Sequence, residues 1–312
     1  MRYLVLAIIF TTFTCSAQFD GPGGELGSKS VHKDATSIIA WASGGTLNRG
    51  YRQINDTAEG RVAVGTLESA LGSFDGSVVS LGDGGSIILT FDSPIQNNEG
   101  YDFAVFENGF KVGFSYYLEL AHVEVSENGI DYTRFPSECV VDSSFQTNNF
   151  SYTKPEELYN LAGKHQAPYG TLFDLEEIGL SEIKYIKLID VVGSIIDSIG
   201  TRDSKGRIIN EPFPSPFESG GFDLDAVAAV NGALLKKEER VLKHVRIYPS
   251  LAAVNETIHI EAPHNAVVQV SDIQGKIVST NTTGELKLRK AGMYYVHVTF
   301  EGKSFTQKIL IH

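Results

Sequence analysis

The sequence predicts an all-β protein: an antiparallel β-sandwich followed by a smaller β-sandwich. Three observations carry that expectation. Apolar and polar residues alternate in short runs closed by glycine-rich turns, with little helical periodicity. Within VEVSENGIDYTRF, residues 123–135, Asn128 and Gly129 stand between two strand-like runs, and this dipeptide favours the tight turn of a hairpin. Charge is unevenly divided: the 312 residues carry a formal net charge of −12, yet from Lys236 onward eleven Lys/Arg outnumber seven Asp/Glu. The acidity therefore belongs to the larger, preceding unit.

The chain opens MRYLVLAIIFTTFTCSAQ, with one positive charge, an apolar run and small residues before Gln18. This pattern predicts a secretory signal over 1–17. Its apolar run is too short to cross a bilayer and no later segment reaches about 18 apolar residues, so no membrane span is expected. Over 18–233, strands are expected at 77–81 and 86–92, joined by Gly82-Asp83-Gly84-Gly85, then at 101–107, 121–126, 183–192 and 222–230. Residues 137–182 and 201–221 are longer than ordinary connections, which marks them as candidate functional loops. Within the first, Pro155 is placed to open a short helix running to Ala162. A charged connector follows over 234–244, and six further alternating runs make a second domain over 245–312. With the signal removed Cys139 is the one remaining thiol, so no internal disulfide can form and a buried thiol is the expected role.

The last unit resembles the C-terminal sorting domain of type IX secretion, the outer-membrane export route of Bacteroidetes. The matching stretches are VRIYP at 245–249, VSDIQGKIV at 270–278, GMYYVHV at 292–298 and KILI at 308–311. The usual Asn-Pro after the first proline is replaced by Ser250 and Leu251. This resemblance implies an immunoglobulin-like sandwich, the type IX secretion machinery as a partner, and a secreted protein at the outer cell surface. The larger unit resembles the galactose-binding-like jelly roll of discoidin and carbohydrate-binding modules, through VEVSENGIDY at 123–132, IKYIKL at 183–188 and FDLDAV at 222–227. FAVFEN at 103–108 and GFDLDA at 221–226 are similar to a group of secreted bacterial cell-surface proteins.

The acidic balance opposes nucleic acid and anionic lipid as partners. The sequence has no Gly-x-Ser-x-Gly elbow, no His-Glu-x-x-His and no Walker loop, and His32, His122 and His165 are not at ligand spacing, so a non-catalytic role is expected. Carboxylates on inward-facing strand positions are costly unless a cation or hydrogen bonds meet them. Glu107 alternates with Tyr101, Phe103 and Val105, and Asp190 with Ile186, Leu188 and Val192. Asp223 and Asp225 point one way while Phe222, Leu224, Ala226 and Ala228 point the other. Calcium, held by Glu107, Asp190, Asp223 and Asp225, would satisfy such acids, because it takes oxygen ligands from carboxylates and carbonyls. Jelly rolls of the kind resembled often hold a structural calcium. The alternative is that these acids cap loops or pair with Arg134 or Arg202. Loop aromatics include Phe110 and Phe217, and the residues placed best for stacking on a ligand are Trp41, Tyr116, Tyr117, Tyr152 and Tyr169.

The function expected is therefore that of a secreted surface binding protein that captures an extracellular glycan or similar small molecule. Two other readings remain open: capture of a corrinoid cofactor for a TonB-dependent transporter, and a structural or adhesive surface component.

Overall fold

The structure is a computed structural model that describes residues 19–113, 115–232, 245–263, 265–281, 284–300 and 303–312. The expected signal segment, 1–17, and the connector, 234–244, lie outside the described residues. Two antiparallel sheets build the first unit. One runs in the order β1 (Ser30–His32), β13 (Tyr169–Phe173), β6 (Phe103–Glu107), β15 (Asp223–Val230) and β2 (Ile38–Trp41), with β4 (Val79–Ser80) paired to the start of β15. The other runs β10 (Thr133–Arg134), β9 (Ala121–Ser126), β14 (Glu182–Asp190), β5 (Ser86–Gln96) and β3 (Gly44–Asn48). Between them lies the main core, in which the stacked rings of Phe103 and Phe173 stand 5.1 Å apart and Phe135 meets both edge-on. A β-sandwich is the expected fold class and the observed one.

Local chemistry explains the elements. The hairpin at Asn128 forms as the dipeptide predicts: Gly129 takes φ +75°, Ser126 Oγ accepts from the Asn128 and Gly129 amides, and Thr133 pairs with Val125. The glycine turn at 82–85 does not close a hairpin, however. β4 pairs with β15 in one sheet while β5 lies in the other, so the turn carries the chain from sheet to sheet. The expected helix from Pro155 is one 3₁₀ turn, Pro155–Glu157, after which β12 (Leu158–Tyr159) pairs with β11 (Glu138–Cys139).

β15 holds the centre of its sheet and all eight of its residues are buried. A bulge between Leu224 and Ala226 breaks the simple alternation that the sequence suggests. Leu224 packs in the main core with Phe222, Val227 and Ala229, whereas Ala226 and Ala228 pack on the opposite face of the sheet with Val31, Phe106, Ile38 and Trp41.

Residues after 244 form their own small β unit. β16 (Arg246–Tyr248), β18 (Thr257–Glu261) and β21 (Gly284–Lys287) make one sheet. β17 (Leu251–Ala252), β23 (Lys303–Ile311), β22 (Gly292–Phe300), β19 (Val267–Asp272) and β20 (Ile277–Asn281) make the other, with β17 joined to β23 in parallel. Ile258, Val268, Val270, Val296 and Val298, all buried, form its core. Among the described residues no helix is long and apolar enough to cross a membrane.

Candidate functional site

One cleft draws together three segments that are far apart in the chain. β6 ends at Glu107, and the chain then turns through Asn108 and Gly109 into a small hairpin of β7 (Phe110–Val112) and β8 (Ser115–Tyr117). Phe110 and Tyr117 face each other across that hairpin, their rings stacked at 5.3 Å and 18°. From the second long insertion come Ser215, Phe217 and Ser219, on a loop anchored where the amides of Ala63 and Val64 donate to the Glu218 carbonyl. Asp223 supplies the start of β15, and Glu119 follows β8. Together with Asn108 these residues line a cleft of about 170 Å³. Its rim is aromatic, with Phe110 and Phe217 52% and 54% exposed, and its floor is carboxylic.

The carboxylates of the floor and of the layer beneath it are buried together. Asp223 accepts from Ser80 Oγ at 2.5 Å and from Asn108 Nδ2 at 3.0 Å. Among the described residues Glu119 has one hydrogen bond, a long one from the Tyr117 hydroxyl at 3.5 Å. Glu107 accepts from the Gly109 amide at 2.6 Å through Oε2, while its buried Oε1 has no partner among the described residues. Glu211 accepts from the Leu120 amide at 2.7 Å. Asp190 accepts from the amides of Phe222 and Gly84 at 2.7 and 3.0 Å. Gly221 makes the first of these possible: at φ +72° a Cβ there would stand 2.5 Å from Asp190 Oδ1.

Among the described residues, no Lys, Arg or His forms an ion pair with any of these acids. Burial, reinforced by the neighbouring carboxylates, therefore pushes Glu107, Glu119, Asp190 and Glu211 well above the usual carboxylate range. Asp223 is raised by burial as well, against the hydrogen bonds from Ser80 and Asn108. These acids are held in protonated form more tightly than free carboxylates are.

The residues singled out from sequence are distributed over several places. Tyr117 and Asp223 line the cleft, with Glu107 and Asp190 close enough to add to the charge felt by Glu119. Asp225 is occupied elsewhere: its carboxylate accepts from the Asp75 and Gly76 amides, and burial pushes it up to about 6. No group of three or more His, Cys, Asp or Glu side chains among the described residues is arranged to hold a metal ion. Trp41, expected on a loop, ends β2, pairs with Ala228 and packs against Phe106. Tyr116 is buried beside Leu118 and Cys139, because adjacent strand residues face opposite ways and Tyr117 takes the cleft side. Tyr169 opens β13, with its ring against Gly23, Gly24 and His32. Tyr152 is an exposed loop residue outside the cleft lining. Arg134 pairs with Glu124 and Arg202 with Asp197, so neither serves the cleft acids.

Sequence reasoning missed Glu119 and Glu211. Glu119 sits between two fully buried leucines, Leu118 and Leu120, which is the one local sign that its environment is apolar.

Residues 246–312 match the family model described as a secretion system C-terminal sorting domain. That domain marks the chain as a secreted cell-surface protein of the type IX export route. No curated protein matches the chain in sequence. Among solved structures, a β-glucuronidase of Faecalibacterium prausnitzii shares 12% identity over 90% of this chain and 46% of its own length, with a TM-score of 0.26. A β-glucuronidase of Ruminococcus gnavus shares 11% over 89% and 44%, at 0.25. PorZ, a surface component of the type IX secretion system of Porphyromonas gingivalis, shares 10% over 92% and 46%, at 0.22. The chain spans less than half the length of each, and likenesses of this size assign it no activity.

Proposed function

We propose that the first domain is a non-catalytic binding module that holds the end of an extracellular glycan in the cleft between Phe110, Tyr117 and Phe217. The observation that carries this reading is the pairing of exposed ring faces with polar groups at the floor. Aromatic faces stack on sugar rings, and Asn108, Ser215, Ser219, Glu119 and Asp223 offer the donors and acceptors that fix ring orientation. A galactose-binding-like fold would suit such a role. The cleft, at about 170 Å³, lies below the several hundred Å³ usual for pockets that enclose a whole ligand, which favours a single terminal ring over a macrocycle such as a corrinoid.

The test is a glycan array probed with the full chain and with Tyr117→Ala and Phe217→Ala. Retention by the parent and loss of about tenfold or more in affinity by each variant is expected. A bound glycan whose affinity neither variant changes would place the site elsewhere, and release of reducing ends during incubation would show hydrolysis.

A further inference from the structure

We infer that the sugar ring taken by this cleft carries a free amine, so that the ligand enters as an ammonium. The inference rests on the glycan reading for the ring and on the cleft alone for the charge. Three independent features ask for a cation. The rim rings of Phe110, Tyr117 and Phe217 have no Lys or Arg over them among the described residues, although Tyr51, Tyr116 and Tyr159 elsewhere do. A ring face carries partial negative charge and attracts cations, an ammonium among them. The floor acids Glu119 and Asp223 have no counter-ion within 4.0 Å among the described residues. Beneath them, the fully buried Glu107 keeps one oxygen, Oε1, without a donor among the described residues.

A neutral sugar could hydrogen-bond to the floor but would leave its acids in the protonated form that burial favours, and so would make no use of their capacity for charge. An amino sugar meets both needs, stacking its ring on the aromatic rim and placing its ammonium against the carboxylates. Among the described residues the groups that act on Glu119 are acidic or neutral: Tyr117 from β8, Asp223 from β15, Glu107 from β6, Asp190 from β14, and Glu211 from the second insertion. An entering cation therefore ionises the floor and releases protons, and affinity strengthens as pH rises until the ligand's own amine begins to lose its proton.

The test is calorimetric titration of the full chain, with chelator present, using a glucosamine trimer and its N-acetylated twin. The amine form is expected to bind about tenfold or more tightly. Glu119→Gln should bring the two within about threefold. Should that variant not fold, Ser219→Lys tethers a cation in the cleft and is expected to abolish binding of the amine trimer. Equal binding of the two trimers overturns the charge assignment and leaves the glycan reading standing. Binding of choline without either trimer overturns the glycan and keeps the cation. No binding by any probe overturns both. If calcium without chelator displaces the amine trimer and raises the melting temperature, the acids serve a metal and the ammonium assignment fails.

Discussion

Glu119 and Glu124 stand five positions apart, just before and within β9, yet the fold treats them in opposite ways. Glu124 accepts from Arg134 at 2.7 and 2.9 Å and from Lys187 at 3.1 Å. Partial burial works against its charge, but those two cations outweigh it and hold the carboxyl below its usual range. Glu119 has a phenol at 3.5 Å and other acids around it. Asp20 shows that a cation can reach a secluded carboxylate here: against burial, the His165 contact and the Lys164 ammonium hold it far below the usual value. Glu124 and Asp20 are met by cations, and Asp83 and Asp225 by backbone amides. Among the described residues Glu119 accepts from neither, and this difference sets the cleft acid apart.

The contrast can be broken at its strongest structural pair first. Lys164, buried, donates to Asp20 at 2.5 Å and to the Leu158 carbonyl at 2.8 Å. Lys164→Met leaves Asp20 without its main counter-charge and should cost about 3 kcal/mol in denaturant unfolding. An unchanged midpoint would mean that the pair contributes nothing.

Next is the pH dependence, which the two classes drive in opposite senses. Asp83, beneath the glycine turn, is pushed by burial from 3.8 to about 6, against a hydrogen bond from the Ile54 amide. The folded chain therefore holds this proton more tightly than the unfolded chain. Its contribution is complete below the unfolded value of 3.8 and is lost as pH rises through about 6. Asp83→Asn should flatten that fall, by on the order of 1 kcal/mol between those two values, in melts followed by circular dichroism. Glu124, with its lowered value, works in reverse: its contribution is present above the unfolded value and is lost on acidification.

Smaller effects distinguish the cleft. Glu211→Gln keeps an acceptor for the Leu120 amide while removing an acid from the cluster, so it should leave stability unchanged or raise it by about 1 kcal/mol. A loss of several kcal/mol would show that the ionised carboxylate is structural. Glu124→Gln breaks a half-exposed pair and should cost about 0.5 kcal/mol, measured by the same unfolding curves.

Much of the fold is legible locally. Alternation, the Asn128-Gly129 turn and the run ending at Val230 place strands where they occur, because strand and turn chemistry depends on near neighbours. What escapes is long-range. The bulge in β15 redistributes Leu224 and Ala226 between two cores, and no residue in FDLDAV announces it. The acids show the same limit. Asp223 could be suspected from its strand position, but Glu119 and Glu211 join it only because loops far apart in sequence fold onto one end of β15. Trp41 reads as a loop aromatic until its pairing with Ala228 is known. Asp225 reads as a partner of Asp223 until the amides of Asp75 and Gly76 are seen to hold it.

Proton release on ligand entry tests the unpaired floor most directly. The glucosamine trimer is titrated at about pH 6 in two buffers of different ionisation heat, which reports the protons exchanged per ligand bound. Net release of protons, abolished in Glu119→Gln, is the result expected of carboxyls that give up their hydrogens to receive a cation. Binding with no proton exchange, or with uptake, would contradict it.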